Sequence, residues 1–502
     1  MREFFAYVRN KKVVVIAVLM TILLAYGFEI SNWTMTIDEE IHAHREKLQF
    51  AIQWIGDGRW GITILKTILP THFVLPFFNG IMAVVTLGLS ALLIAYIFYN
   101  YGYSVYSQFS AAILFISCPI FSYYLMFDTF SVELSIGILF AIISAFCTSQ
   151  YSCISGKKRF AFSIVFLTWS IAIYQTLLFV YIAMICGILL LNVFGEEKLL
   201  TAKMYAVCIV NSVLILLISL IIYKSVSVVL EKYVYDFDYV DGYWRWSYWD
   251  FNQCLFEIKN CLKVHFLTPG NFYYGGWMLS IVFIIYIISL LIGIITCKRR
   301  VILVLAWIGL LFSIAGQNIV MGGPMPIRSF QSIAVFIAFM IVPVDKIGAM
   351  LHKASFRKIL DIEVGTTIFV ILFCLYQSAM INNLFYSEQL RQKSDEATLN
   401  RILVDVEDLN VDMTTTPLVF VGSKPWESNY KINTEQFELS MFATGQISRI
   451  YSWMLDLGYT YVTPKAEQQE KAEHIAEDMS EWPTLGSVKY EDGMVIVNLG
   501  GE

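Results

Sequence analysis

Long apolar runs with few charges most constrain how this chain can fold. The hydrocarbon core of a bilayer is about 30 Å thick and a helix rises about 1.5 Å per residue, so roughly 20 apolar residues make one span. Eleven runs approach this length: 13–30, 73–99, 107–126, 130–149, 160–174, 177–194, 204–223, 277–296, 301–320, 329–344 and 364–386. With 57% hydrophobic and only 15% charged residues, the composition excludes a soluble globular protein. We predict a polytopic α-helical membrane protein with about 11 transmembrane helices.

The first apolar run, 13–30, follows several basic residues, as the apolar core of a secretory signal peptide would. It has no small-residue cleavage site before the acidic residues that come next. We therefore predict that 13–30 is retained as a transmembrane helix.

Basic residues predict the orientation, because Lys and Arg accumulate on the cytoplasmic side of spans. With the N-terminus inside, all the basic clusters fall inside: Lys157, Lys158 and Arg159; Lys298, Arg299 and Arg300; and Lys346, Lys353, Arg357 and Lys358. The outer side then receives the loops 31–72 and 224–276, the short turns between spans, and the tail 387–502.

The tail 387–502 differs in composition from the preceding residues 1–386. It carries 20 acidic and nine basic residues, so its formal net charge is −11. The whole chain has a net charge of −5, so residues 1–386 have a net charge of +6. Its pattern predicts a helix over 388–409, a strand over 417–422, a helix over 446–457 and a closing β-hairpin. We predict a small α/β domain on the outer side, following a transmembrane domain at 1–386.

The first outer loop holds the most informative stretch. Three consecutive carboxylates, Asp38, Glu39 and Glu40, are followed by an amphipathic helical pattern that ends on Arg59 and Trp60. Acidic groups, a surface helix and an Arg–aromatic pair beside a membrane indicate a reaction site at its surface. The alternative is a solvated acidic loop.

Two further carboxylates lie at the outer ends of spans. Asp128 occupies the short turn before the span 130–149, and Glu133 lies about one helical turn into that span. Ionisable groups inside membrane segments are costly and often functional. Because Glu133 is near the outer end, the sequence leaves open whether it acts in a site or simply reaches water.

The outer loop 224–276 contains acidic residues followed by an aromatic cluster, which we define as Tyr243–Trp249 and which includes Trp244, Arg245 and Trp246. Aromatic rings stack on the apolar faces of sugars, and carboxylates accept hydrogen bonds from their hydroxyl groups. The alternative is anchoring at the interface, where Trp and Tyr collect in any case.

The glycine-rich turn after the span 301–320 ends on Arg328, a suitable phosphate ligand at the outer boundary.

Several of these motifs together resemble the bacterial Gtr-type glucosyltransferases that modify O-antigen and change serotype. The matching segments are Thr36–Glu40 after the first span, Gly58–Gly61, Pro326–Arg328, the strand Pro417–Gly422, and Trp482–Pro483 with the closing hairpin. The resemblance covers nearly the whole chain and implies a GT-C-like fold. It also implies transfer of glucose from undecaprenyl phosphate to an O-antigen sugar, on the periplasmic side of the bacterial inner membrane. The family offers no motif for the loop 224–276.

The chemistry of such a transfer assigns roles to the residues. A sugar hydroxyl is a poor nucleophile and needs a carboxylate base, for which we rank Asp38 first, Glu40 second and Glu39 third. Arg59 and Arg328 are the candidates for stabilising the leaving phosphate. Candidate substrate contacts are Trp60, Asp128, Glu133, Trp244, Arg245 and Trp246.

We expect no cofactor and no metal site, because His42 and His44 are two apart and point to different faces of a helix. The expected partners are the lipid-linked glucose donor, an O-antigen acceptor that is itself lipid-linked, membrane lipids, and functionally a donor flippase and a donor synthase, with no nucleic acid. Two alternatives stay open: a flippase of lipid-linked sugars, or another transferase that uses polyprenyl-phosphate sugars.

Overall fold

The computed structural model describes residues 2–43, 47–71, 74–149, 156–195, 201–233, 241–345, 362–432, 437–443 and 447–501. His44, the acidic residues Asp236 and Asp238, and the basic cluster at 346–358 lie outside these described residues. The chain divides into two compact units. The first comprises Met1–Ser31 and Lys47–Asn382, and the second comprises Asn32–Glu46 and Asn383–Glu502.

The first unit is helical throughout its described residues. Its helices are Arg2–Asn10, Lys12–Ser31, Lys47–Gly56, Trp60–Ile68, Pro76–Asn100, Val105–Ile116, Ser122–Leu125, Ser131–Ser149, Gly156–Ile173, Leu177–Phe194, Ala202–Glu231, Phe251–Phe266, Met278–Thr296, Arg300–Met321, Ser332–Ala338 and the first part of Ile362–Glu407. Such a unit suits a bilayer because a helix satisfies its own backbone hydrogen bonds.

Among the described residues, nine helices are long and apolar enough to cross a membrane. They coincide with nine of the eleven predicted spans, so the chain is a polytopic membrane protein. The remaining two predicted spans are helical but differ from these nine. Gly156–Ile173 starts with three basic residues, and Ser332–Asp345 is shorter than a full span.

Close helix packing in the first unit relies on small residues at contact points. Gly61 illustrates this, because a Cβ atom at its position would lie 2.7 Å from the backbone of Ala172. The helix Trp60–Ile68 can therefore approach Gly156–Ile173 only with glycine there. This contact holds the segment that carries Arg59 and Trp60 against the helical bundle.

The second unit contains a three-stranded sheet and several helices. The strands are β1, Leu418–Val421; β2, Val488–Glu491; and β3, Met494–Asn498. Their order is β1-β3-β2, with β1 parallel to β3 and β2 antiparallel to β3. The helices Ile447–Asp456 and Ala466–Ala476 lie in sequence between β1 and the β2–β3 hairpin. The predicted strand, the predicted helix at 446–457 and the predicted hairpin are all present.

The helix Ile362–Glu407 differs from the prediction of a span over 364–386 and a separate helix over 388–409. It is continuous over 46 residues. The physical reason is in the sequence, since no glycine or proline occurs between Thr366 and Glu407 to interrupt it.

The acidic segment Asn32–Glu46 belongs to the second unit, although it follows the first span in sequence. Met35 is buried in the hydrophobic core of this unit together with residues of the tail, and Trp33 packs against the same core. The Met35 backbone is also tied to the tail: its N–H donates to the Gln392 side chain at 2.9 Å, and its carbonyl accepts from Arg391 at 2.7 Å.

Candidate functional site

The acidic motif forms a one-turn helix, Glu39–His42, preceded by Asp38. The backbone of Asp38 has a φ of 87°, in the left-handed region that residues other than glycine rarely adopt. Its side chain makes no capping hydrogen bond within the turn. Such backbone strain persists only where the surrounding structure enforces it, and it concentrates at functional sites.

Arg449, on the helix Ile447–Asp456, binds two of the three acidic side chains at once. Its Nη2 donates to Asp38 Oδ1 at 2.8 Å and its Nη1 to Glu40 Oε1 at 2.6 Å. Asp38 and Glu40 are therefore brought together by one guanidinium group. The second unit thus contains a compact cluster of two carboxylates and one arginine.

The three carboxylates differ in their access to solvent. The Asp38 side chain is 49% exposed, whereas Glu39 and Glu40 are fully buried. Glu39 Oε2 accepts a hydrogen bond from the Thr36 N–H at 2.9 Å, so it holds the turn together. Asp38 is the member of the motif whose carboxylate a ligand can reach.

Burial raises the pKa of Glu40, and the Arg449 guanidinium opposes that rise. Glu40 Oε2 has no hydrogen-bond partner among the described residues. A buried carboxylate with one oxygen satisfied by a guanidinium depends on that guanidinium to stay ionised.

A second buried network fixes the tail beneath this motif. Arg391 donates to both Glu388 and Asp395 from the helix Ile362–Glu407, and it donates to the Met35 carbonyl. Asp395 also accepts hydrogen bonds from Ser440 Oγ at 2.7 Å and from the Met441 N–H at 2.9 Å. The acidic segment is therefore held within the second unit by backbone and side-chain hydrogen bonds at Met35.

In the first unit, Glu133 lies in a buried ion pair and does not reach water. Its Oε1 is 3.2 Å from Lys66 Nζ and accepts a hydrogen bond of 2.5 Å from Thr71 Oγ1. Lys66 Nζ also donates to the Thr71 carbonyl at 2.7 Å. Glu133, Lys66 and Thr71 are all buried, so the alternative of a solvent-facing Glu133 is wrong.

Asp128 is buried close to this pair. Burial raises the pKa of Asp128 to about 7, with Glu133 adding to the rise, while hydrogen bonds from Leu75 and Asn79 and the charge of Lys66 oppose it. Asn79 also donates to the Asp128 backbone carbonyl at 3.3 Å. The structure thus joins Asp128 and Glu133, two predicted substrate contacts, in one polar cluster with Lys66.

Arg59 and Trp60 lie at the start of the helix Trp60–Ile68. The Arg59 guanidinium is 3.6 Å from Asp57 Oδ2 and lies over the rings of Trp54 and Tyr174, at 5.4 and 4.9 Å from their centroids. The Trp60 indole nitrogen is buried and has no hydrogen-bond partner among the described residues. The Arg59 guanidinium therefore makes cation–π contacts with two aromatic rings.

Arg328 lies in the single 3₁₀ turn Ile327–Ser329. Its guanidinium lies over the ring of Phe127, 5.2 Å from the centroid. Phe127 directly precedes Asp128, so Arg328 reaches the turn that carries this predicted substrate contact. The rings under the two arginines are connected, because Trp54 packs against Phe130 at 5.7 Å and Phe130 stacks on Phe127 at 5.2 Å between their centroids.

The aromatic cluster Tyr243–Trp249 packs against the glycine-rich turn. Trp246 Nε1 donates to the Ile319 carbonyl at 3.1 Å, and a Cβ atom at Gly323 would lie 2.7 Å from Arg245. The Arg245 guanidinium lies over the Trp249 ring. Trp244, in contrast, is 46% exposed. Arg245 and Trp246 are thus engaged in contacts within the first unit, while Trp244 presents its ring to the surroundings.

Two charged residues were missed by the sequence reasoning. Lys66 is the only charged residue in the helix Trp60–Ile68, and this isolation was a signal that it needed a buried partner. Arg449 carried no such signal, because it stands in an ordinary amphipathic helix 411 residues from Asp38. Among the residues that the structure describes, no group of three or more His, Cys, Asp and Glu is arranged to hold a metal ion.

Comparison with known proteins gives one match. Neither the curated proteins nor the solved structures contain a match to this chain. The family model described as glucosyl transferase GtrII matches residues 27–344, more than half of the 502 residues. The matched region includes Asp38, Arg59, Glu133 and Arg328, whereas Arg449 lies beyond its end. Because the match extends over most of the chain, this membrane protein belongs to the glucosyl transferase GtrII family.

Proposed function

We propose that the chain transfers glucose from undecaprenyl-phosphate glucose to a sugar hydroxyl of the lipopolysaccharide O-antigen. The observation that carries the proposal is the family membership, since the match includes the acidic motif and both candidate phosphate ligands. It favours a glycosyltransferase over a flippase of lipid-linked sugars. The spans support a donor held in the membrane by its lipid, which needs no nucleotide-binding loop.

In this proposal Asp38 is the general base. Its carboxylate takes the proton from the acceptor hydroxyl, the hydroxyl oxygen bonds to the anomeric carbon, and the bond from that carbon to the phosphate oxygen breaks. Polyprenyl phosphate leaves with the electron pair. Exposure favours Asp38 over Glu39 and Glu40, both of which are fully buried.

Arg449 acts as a positioning residue for this base. Its ion pair fixes the orientation of the Asp38 carboxylate. Glu40 completes the bridge on the buried side of Arg449. Glu40 therefore supports the base indirectly, and Glu39 contributes through the fold of the turn.

The donor phosphate is bound by Arg59 and Arg328. Each guanidinium lies over an aromatic ring, and a planar guanidinium group matches the geometry of phosphate oxygens. Trp60, Asp128 and Glu133 contribute to the donor side of the site. A buried carboxyl with a pKa of about 7, such as Asp128, is a feature that clusters at functional sites.

Trp244 is the residue of the aromatic cluster that contacts the acceptor sugar, because its ring is exposed. Arg245 and Trp246 shape the surface around it. We further propose that the chain resides in the bacterial inner membrane with its N-terminus in the cytoplasm and its tail in the periplasm. It would act after a donor synthase and a donor flippase.

The test replaces the base without changing its shape. Asp38→Asn removes proton acceptance, and general-base contributions run at about 10² to 10⁴ in rate. Purified protein is incubated with undecaprenyl-phosphate glucose and lipid-linked O-antigen, and glucosylated product is measured by mass spectrometry. We expect Asp38→Asn to lose nearly all activity, Glu40→Gln to follow in the same direction and Glu39→Gln to matter least.

Asp405→Asn is the matched control, because Asp405 is an exposed aspartate of the same unit. If Asp38→Asn is as active as Asp405→Asn, Asp38 is not the base. If the wild-type chain moves the lipid-linked sugar across a bilayer and forms no glycoside, the transferase proposal itself is refuted.

A further inference from the structure

A cavity in the second unit lies outside the machinery proposed so far. Its volume is about 360 Å³, within the range typical of small-molecule sites. Its walls include the helix Ile362–Glu407 around Asp395, the loop after β1 at Lys424–Glu427, and the residues Glu481 and Trp482 before β2. Ser440, Phe442, Leu499 and Gly501 also contribute to the lining. It contains none of Asp38, Glu40 or Arg449.

The walls combine aromatic and acidic groups. Trp426 and Trp482 line the cavity together with the carboxylates of Asp395, Glu427 and Glu481. An aromatic ring such as that of Trp426 stacks on the apolar face of a sugar, and carboxylates accept hydrogen bonds from hydroxyl groups. Serine and threonine hydroxyls also line the cavity and can both donate and accept.

The charges of the lining indicate which ligands it excludes. Three carboxylates face one cation, Lys424, among the lining residues. Asp395 is neutralised by its ion pair with Arg391, which still leaves Glu427 and Glu481 against Lys424. A phosphate or another anion would be repelled, whereas a neutral sugar or an amino sugar would not.

Part of the cavity is rigid before any ligand arrives. Asp395 accepts hydrogen bonds from Ser440 and Met441. The backbone N–H of Trp482 donates to the backbone carbonyl of Asn498 at 2.8 Å. Arg401 and Lys424 both lie over the Trp482 ring, at 4.9 and 5.3 Å from its centroid. Prior ordering of this kind lowers the entropic cost of binding.

We propose that this cavity binds a saccharide unit of the acceptor, either a neutral sugar or an amino sugar, and so retains the acceptor chain near the enzyme. The identity of the ligand as the acceptor rests on the proposed function. The binding itself does not depend on catalysis and can be measured without it.

The test uses the full chain in detergent and the lipid-free O-polysaccharide of the strain that carries it. Isothermal titration gives the dissociation constant for the wild type and for the double variant Glu427→Ala, Glu481→Ala. Both glutamates are exposed, so these substitutions should leave the unfolding midpoint unchanged. The matched control is Glu467→Ala, Glu470→Ala, two exposed glutamates of the same unit outside the cavity.

We expect the double variant to bind at least tenfold more weakly and the control to bind like the wild type. In the transfer assay the double variant should raise KM for the acceptor and leave kcat nearly unchanged, as expected when binding is lost equally from ground and transition states. Unchanged affinity in the double variant, or no binding by the wild type, overturns the proposal. Displacement of the polysaccharide by inorganic phosphate also overturns it, because the cavity would then be an anion site.

The two proposals fail separately. If the polysaccharide binds in the cavity but receives no glucose, the cavity stands and the proposed reaction fails. If glucose transfer occurs with equal KM in the double variant and the wild type, the reaction stands and the cavity has no part in it.

Discussion

Replacing Arg449 by methionine tests whether one guanidinium supports both the stability of the second unit and the proposed base. The substitution keeps an apolar stem of similar length but removes the charge from Asp38 and Glu40. The two ion pairs are unequal. The Asp38 pair is half exposed and such pairs contribute about 0.2–1 kcal/mol, whereas removing the partner of a buried charge such as Glu40 costs about 3–5 kcal/mol.

The loss should depend on pH because of Glu40. Burial already raises the pKa of Glu40 in the folded protein, and Arg449 opposes that rise. A carboxyl whose folded pKa exceeds its unfolded pKa lowers stability as pH rises from the unfolded value, about 4.3, through the folded value. Arg449→Met raises the folded pKa further, so the destabilisation should be larger at pH 8 than at pH 5.

The assay is thermal unfolding of the full chain, followed by tryptophan fluorescence at both pH values. A loss of about 4 kcal/mol corresponds to a fall of the midpoint by roughly 10 °C at pH 8. Adding Glu40→Gln should recover most of this fall and remove its pH dependence, because no buried charge remains. Arg401→Met is the matched control, since Arg401 is exposed and its contact in the described part of the chain is a cation–π contact with Trp482, which contributes about 0.5–1 kcal/mol.

Activity separates positioning from simple stability. At a temperature where all variants are folded, Arg449→Met should lower kcat, because the base loses the ion pair that orients its carboxylate. Arg449→Lys should recover part of the rate. Equal destabilisation at pH 5 and pH 8, together with an unchanged kcat, would refute the reasoning.

Three other predictions concern the first unit. Glu133→Gln should destabilise the chain by about 3–5 kcal/mol, because it removes the carboxylate that pairs with the buried Lys66 ammonium group. Adding Lys66→Met should recover most of the unfolding midpoint. The wild type should lose stability between about pH 4 and 8, because burial raises the folded pKa of Asp128 to about 7. Asp128→Asn should reduce this loss, and an unchanged pH dependence of stability would contradict the prediction. Trp246→Phe should cost about 0.5–1.5 kcal/mol by removing the bond to the Ile319 carbonyl, with Trp244→Phe as the control that leaves the unfolding midpoint unchanged.

Features that depend on neighbouring residues could be predicted from the sequence. The apolar runs predicted nine helices that the structure describes as able to span a membrane, because bilayer thickness sets a minimum length for such a run. The strand Leu418–Val421 and the closing hairpin followed from local hydrophobic pattern and turn residues. The acidic motif and the family resemblance were also visible, since both consist of residues adjacent in the chain.

Pairings between distant residues were decided by the tertiary structure alone. Arg449 meets Asp38 across 411 positions, and Lys66 meets Glu133 across 67, without any periodicity that would have marked the partners. The cavity is likewise formed by segments between Ser394 and Gly501 that share no motif. An ion pair or a cavity depends on which distant segments of the chain come into contact in the folded protein. Local hydrophobicity governs spans and strands, but it carries no information about which distant segments meet.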